Sequence, residues 1–211
     1  MRKELIINKS KTIIVILAGG QSRRFGGGYK TLYTFNKISI LDRIIQNFKK
    51  LEVEIVLNAN SNEDQFLKTG LHLIKDELEN FQGPLAGICS SMKWVLENRK
   101  NIEWIFTSPS DTPFLNKNLV NKFLSTDYNN KTKIVIAKSS NKTHPVIGFW
   151  HISLIKSLEE FLAKENRKIM HWVEEQNYEV LNFENKNNFF NINTKTDLEE
   201  AIKIEESLKT L

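Results

Sequence analysis

The chain has a single cysteine, Cys89, so no intramolecular disulfide can form, and its stability must come from a packed core in a reducing setting. No run approaches the roughly 18 apolar residues of a membrane-spanning helix. The polar segment Met1–Lys11 carries only a short apolar patch at Leu5–Ile7 and lacks the apolar core of a signal peptide. A cytoplasmic location without membrane association is expected. Like-charge blocks are missing, arginine is scarce, and no ladder of aromatic and basic residues runs along the chain, so the usual nucleic-acid signatures are excluded. The formal net charge is nevertheless +5, which a small phosphorylated ligand accounts for. Internal repeats, linkers and low-complexity tracts are also absent. Glycine numbers only nine in 211 residues, yet five of the nine, Gly19, Gly20, Gly26, Gly27 and Gly28, fall within ten positions.

What is present is an alternation of short β-branched runs with longer amphipathic stretches. Thr12–Leu17 is apolar on both parities and reads as a strand buried on both faces. Leu32–Ile40 reads as an extended pair turning at Asn36-Lys37. Leu41, Ile44, Ile45 and Phe48 form a helical stripe over Leu41–Lys50. Val53–Leu57, Leu71–Ile74, Ile102–Thr107, Lys133–Ala137, Val146–Trp150, Val180–Phe183 and Phe189–Asn191 read as strands or extended pieces. Helices are expected from Ser61, capped with Asp64, to Thr69, from Pro84 to Glu97, and over Asn116–Leu124, Ser153–Ala163 and Ile169–Gln176. A last helix is capped by Thr194 with Asp197. This βαβ rhythm predicts a single domain built on a mostly parallel sheet with helices on both faces.

Open sheets of this kind bind ligands outside the carboxyl ends of their strands, which directs attention to the residues just after each strand. After the first strand come the glycines with Arg23, Arg24 and Lys30. Glycines let backbone N–H groups approach phosphate oxygens, and the cations neutralise them. Neither a Walker loop nor a convincing Rossmann fingerprint is present. Asp111 follows the strand Ile102–Thr107, placed either to hold Mg²⁺ against phosphates or to cap a turn. Asn58, Asn60 and Asp76 follow two further strands. An aspartate can accept the paired N1–H and amino donors of guanine, although loop solvation serves as well for each residue alone. His144-Pro145 is either catalytic or a turn. No zinc spacing and no nucleophile elbow occur.

Taken in order, Leu17-Ala18-Gly19-Gly20 with Arg23-Arg24-Phe25-Gly26-Gly27 and Lys30, Asn58-Ala59-Asn60, Asp76 with Gly83-Pro84-Leu85-Ala86-Gly87, Asp111-Thr112-Pro113-Phe114, His144-Pro145 and Phe190-Asn191-Ile192-Asn193-Thr194 resemble the molybdenum cofactor guanylyltransferases over nearly the whole chain. The resemblance implies a three-layer α/β/α, Rossmann-like nucleotidyltransferase fold. It divides the single domain into an extension (1–11), a GTP-binding part (12–115) and a pterin-substrate part (116–211). The implied reaction moves GMP from GTP to the terminal phosphate of molybdopterin, with Mg²⁺ as cofactor. It implies GTP contacts from the backbone of Leu17, Ala18 and Gly19 and from Lys30, Asn58, Asp76 and Asp111, with Mg²⁺ on Asp111 and charge neutralisation by Arg23 and Lys30. His144, Arg167, Lys168, Asn191 and Asn193 would face the pterin. Molybdenum-insertion proteins and recipient molybdoenzymes are the implied protein partners. The sequence departs from the family at Tyr29, where an acidic residue is common, at Pro109-Ser110, and at Ser61, where arginine is usual. A cytidylyl or sugar-phosphate transferase of the same fold, and a cofactor-binding chaperone without activity, are the alternatives.

Overall fold

Four short runs of β-branched and apolar residues place the centre of the fold. In the computed structural model, which describes residues 4–19, 29–60, 64–76 and 83–209, Thr12–Leu17 (β2) is the hub of a seven-stranded sheet. Ile13, Ile14, Val15 and Ile16 are each fully buried, as expected of a strand covered on both faces. Ile55–Asn58 (β5) and then His72–Ile74 (β6) add in parallel on one side of β2. Trp104–Pro109 (β7) adds in parallel on the other side. Lys142–His151 (β10) runs antiparallel to β7 and to Ile134–Ser139 (β9), and Tyr178–Phe183 (β11) pairs in parallel with β9 at the far edge. The order is therefore β6-β5-β2-β7-β10-β9-β11, and the direction of chain growth reverses between β2 and β7. That reversal opens a crevice at the carboxyl ends of the strands.

Alternation along each strand feeds two cores. Ile13, Val15, Val56, Ile105 and Trp150 face the layer of Pro84–Asn98 (α3), Ile155–Ala163 (α5) and Ile169–Glu174 (α6). Ile14, Ile16, Leu57, Phe106 and Phe149 face Ile40–Lys49 (α1), Lys117–Leu124 (α4) and Lys195–Lys209 (α7). The helix Asp64–Leu67 (α2) joins the second layer through Phe66. The expected three-layer α/β/α arrangement with a mostly parallel sheet is what these residues build.

Several local details follow from single residues. The hairpin Thr34–Phe35 (β3) to Ile38–Ser39 (β4) turns at Asn36 and Lys37, both with positive φ, the geometry of a tight two-residue hairpin. Ser39 caps α1 by accepting the Asp42 N–H. Gly148 passes close to β9: a Cβ there would lie 2.1 Å from the Val135 carbonyl oxygen. The β10–β9 register shifts between His144 and Gly148, so Pro145, with no N–H to donate, sits where the ladder is interrupted.

Three expectations change. The strand expected at Val146–Trp150 begins four residues earlier, at Lys142, because the interrupted stretch still pairs on both sides of the shift. Phe189–Asn191 forms no strand: Phe189 closes a 3₁₀ turn over Lys186–Phe189, opened by the Asn185 side chain accepting the Asn187 N–H, and Phe190 is extended outside the sheet. The segment before β2 is more than an extension, since Glu4–Leu5 (β1) pairs antiparallel with Tyr128–Asn129 (β8) and Ile7 is buried. Ser61, the expected cap of α2, lies outside the described residues.

Candidate active site

The carboxyl ends of β2, β5, β6 and β7 gather the polar residues singled out from sequence. Beyond β7, Ser110 N–H bonds to the Leu17 carbonyl at 3.0 Å, and the Thr31 hydroxyl donates to the Ser110 carbonyl at 2.9 Å. Thr31 is buried within a 3₁₀ turn over Lys30–Leu32, so this bond pins the turn against the end of β7. Lys30 is thereby brought to Asp111, with Nζ 2.5 Å from Oδ2, both side chains about one-sixth exposed. A second bond runs from Lys30 Nζ to Asn193 Oδ1 at 2.7 Å. The Thr112 hydroxyl lies 3.3 Å from Asp111 Oδ1, and Ile192 N–H donates to the Asp111 carbonyl at 2.9 Å. Residues 30, 111 and 193, far apart in sequence, thus form one cluster.

A second cluster sits beyond β5 and β6. Asn58, 2% exposed, donates Nδ2 to Asp76 Oδ1 at 2.8 Å and to the Ile74 carbonyl at 3.3 Å. Asn60 donates to Asp76 Oδ2 at 2.8 Å, and its own Oδ1 accepts the Asp76 N–H at 2.8 Å. Among the described residues, each carboxylate oxygen of Asp76 spends one lone pair on an amide and keeps another. Gly87 makes this possible: a Cβ at that point of α3 would lie 2.3 Å from Asn58 Oδ1 and 2.9 Å from Leu17 Cδ2. Helix α3 begins at Gly83, whose φ of 128° suits glycine, with Pro84 as its first residue.

Among the expected backbone contacts, Ala18 N–H is committed to the Asn58 carbonyl at 2.7 Å, and the Leu17 carbonyl already accepts from Ser110. Gly19 is exposed, with open space where a side chain would be. Arg23, with the rest of residues 20–28, lies outside the described residues. Tyr29, the departure beside Lys30, packs edge-on against Phe66 at 5.1 Å, fixing the approach to Lys30.

The residues expected to face the second substrate divide. His144 lies at the same sheet end, stacked on Phe189 at 4.4 Å, with Nε2 2.8 Å from Ser139 Oγ. Burial, reinforced by Lys142, pushes its pKa down to about 4, so the imidazole is neutral at pH 7. Asn193 belongs to the Lys30 cluster. Asn191 is exposed one residue before the buried Ile192. Arg167 and Lys168 are exposed on the segment between α5 and α6, and Lys168 is the N-cap of α6. Thr31, Phe189 and Ser139 are contributions that no sequence motif marked, and Gly87 lies in the Gly83-Pro84-Leu85-Ala86-Gly87 motif with no role of its own there; their roles come from contacts across the sheet.

A lysine–aspartate pair and an amide-framed carboxylate thus stand together at the switch point of a mostly parallel sheet, where open α/β sheets bind their ligands. The chain belongs to the MobA-like NTP transferase family, whose domain matches residues 14–180. A Nitrobacter hamburgensis protein named molybdenum cofactor guanylyltransferase is 37% identical over 193 residues, covering 90% of this chain and 92% of that protein. One from Haemophilus influenzae with the same name is 35% identical over 189 residues, covering 89% and 96%. The crystal structure of molybdopterin-guanine dinucleotide biosynthesis protein A from Archaeoglobus fulgidus shares the fold, with a TM-score of 0.72 over 92% of this chain and 99% of that one at 19% identity.

Proposed function

We propose that this chain is a molybdenum cofactor guanylyltransferase. It moves GMP from GTP to the terminal phosphate of molybdopterin, giving molybdopterin guanine dinucleotide and pyrophosphate. The observation that carries the reading is the pair of clusters on one sheet end, Asp76 with its two asparagines and Lys30 with Asp111. Three strand spacings separate β6 from β7, about 14 Å, which matches the reach of a nucleotide from base to phosphates. The free lone pairs of Asp76 suit the adjacent N1–H and amino donors of guanine, which adenine and cytosine do not present together. The buried Asn58 fixes the plane of that carboxylate.

In the transfer, an oxygen of the acceptor's terminal phosphate forms a bond to the α-phosphorus of GTP, and the bond to the bridging oxygen breaks as pyrophosphate departs. Such a step depends on positioning and charge neutralisation more than on a protein nucleophile. Lys30 supplies one positive charge at the phosphates and Arg23 a second. Asp111 fits Mg²⁺: it is a hard oxygen ligand whose Oδ1 meets, among the described residues, only the Thr112 hydroxyl at 3.3 Å, and Mg²⁺ is commonly held by one or two carboxylates together with substrate phosphates. Mg²⁺ bound there supplies further neutralisation of the triphosphate. No group of three or more potential ligands occurs among the described residues. Neutral His144 offers the pterin a hydrogen bond without charge, and Asn191, Arg167 and Lys168 complete the acceptor side. No helix among the described residues is long and apolar enough to cross a membrane. On the guanylyltransferase reading the enzyme works in the cytoplasm and meets molybdenum-insertion proteins and recipient molybdoenzymes.

Asp111→Ala is the test. Guanylyl transfer should vanish while circular dichroism stays native; turnover at the wild-type rate would remove Asp111 from the site.

A further inference from the structure

The segment joining the last 3₁₀ turn to α7 is irregular, yet it is held at three points. Ile192 is fully buried, its N–H donates to the Asp111 carbonyl, and Asp197 Oδ2 accepts two N–H groups, from Asn193 at 2.7 Å and Thr194 at 2.8 Å. The Thr194 hydroxyl accepts the Asp197 N–H at 3.1 Å, closing a capping box. A capping box needs only the reciprocal pair between the N-cap and the third helical residue. The bond from Asn193 falls one residue outside that pair and satisfies none of the helix's own donors. It holds instead the residue whose side-chain oxygen accepts from Lys30.

We propose that Asp197 is a positioning residue for Lys30, acting through Asn193. The chain of contacts runs from Asp197 to the Asn193 backbone, through the Asn193 side chain to the Lys30 ammonium, and on to Asp111, whose carbonyl ties back to Ile192. An ammonium has three donors. With Asp111 and Asn193 holding two, the third is aimed, and among the described residues it is left for a phosphate oxygen. Helix α7 is anchored far from this end as well: Glu205 pairs with Arg43 and accepts from Asn36, tying α7 to α1 and to the hairpin that follows Lys30. The strut that carries Asp197 is therefore fixed at both ends. Loss of Asp197 frees Asn193, leaving Lys30 held by Asp111 alone and turning about its flexible stem. Misorientation of a phosphate-binding charge lowers the chemical step more than ground-state affinity.

This inference rests on the reading of Lys30 as a phosphate-binding residue, and two readouts separate them. Asp197→Ala, Asn193→Ala and the double variant are compared with wild type. The expected result is a kcat about tenfold lower in each single variant, KM for GTP changed less than threefold, and no further loss in the double variant. Asp197→Asn, which keeps a side-chain oxygen able to accept both N–H groups, should recover most of kcat; Asn193→Ala, which leaves the capping box intact, carries the test if Asp197→Ala fails to fold. Independently of turnover, acetic anhydride labelling of Lys30, read by mass spectrometry, should rise severalfold in either single variant and no further in the double. Additive losses of kcat, or Lys30 labelling unmoved by Asp197→Ala or by Asn193→Ala, would overturn the positioning role. Wild-type protein that labels as expected but transfers no GMP would instead refute the guanylyltransferase reading.

Discussion

Gly87→Ala puts one methyl group at the narrowest contact in the site. The added Cβ would stand 2.3 Å from Asn58 Oδ1, 2.9 Å from Leu17 Cδ2 and 3.1 Å from Asn58 Cγ. Ordinary contact needs about 3.5 Å, so the Asn58 amide must retreat by roughly 1 Å. A surface side chain would do so at little cost. Asn58 cannot, because it is 2% exposed and its Nδ2 is shared between the Ile74 carbonyl and Asp76. Overpacking a buried site costs about 1–3 kcal/mol, and losing a hydrogen bond to a charged partner about 1.5–3 kcal/mol. Alanine's helix propensity returns about 1 kcal/mol. A net destabilisation of about 2–4 kcal/mol follows, or a Tm roughly 5–15 °C lower for a chain of this size. Because the displaced amide frames Asp76, GTP affinity should fall about tenfold or more. Thermal unfolding followed by circular dichroism and GTP titration by calorimetry read the two effects. A Tm that is unchanged or raised, with wild-type GTP affinity, would show that the α3–β5 approach is not tight and that Asn58 does not set the Asp76 carboxylate.

Asp76→Asn should erase most of the preference for GTP over other nucleoside triphosphates while leaving Tm within a few degrees, measured by competition binding. Lys30→Met should tighten Mn²⁺ binding to Asp111 about tenfold in the absence of nucleotide, because the ion pair that occupies Oδ2 is gone, while weakening GTP binding; electron paramagnetic resonance titration of Mn²⁺ reads the first effect. His144 and His151 are both pushed down to about 4, chiefly by burial, with Lys142 adding to the first and Lys133 to the second against Glu103. The unfolded chain, with ordinary histidines near 6.5, binds more protons between these values. Stability should therefore be full above about pH 6.5 and fall as pH drops toward 4. Urea denaturation at pH 7 and pH 4.5 checks this, and a flat profile would show that neither ring is protected.

The parallel half of the sheet is legible in sequence because its strands are buried on both faces and must be continuously apolar, as Ile13–Leu17 and Ile55–Leu57 are. The antiparallel β10 is legible only in its second half. Its first half, Lys142 to Pro145, is polar, carries a proline and crosses a register shift, so no local pattern announces it. The two-residue β1 has no periodicity to read and exists only through its partner β8. Phe189 has strand propensity, but the asparagine cap before it wins locally. In the site, Asp76 and Asp111 are readable as carboxylates just past strand ends, since topology alone sends those positions to the crevice. Their surroundings are not. Whether Asn60 turns to Asp76, how closely Gly87 approaches Asn58, and whether Asn193 meets Lys30 across 163 residues depend on helix-to-sheet distances that no short motif encodes.

Guanylyl transfer itself is measured by incubating the purified protein with Mg²⁺, molybdopterin and either GTP or CTP, and following both pyrophosphate release and the dinucleotide product by chromatography. Pyrophosphate and molybdopterin guanine dinucleotide should appear in equal amounts with GTP, and neither with CTP. Product from CTP but not GTP, or no product from either with active molybdopterin present, would contradict a guanylyltransferase built on Asp76, Lys30 and Asp111.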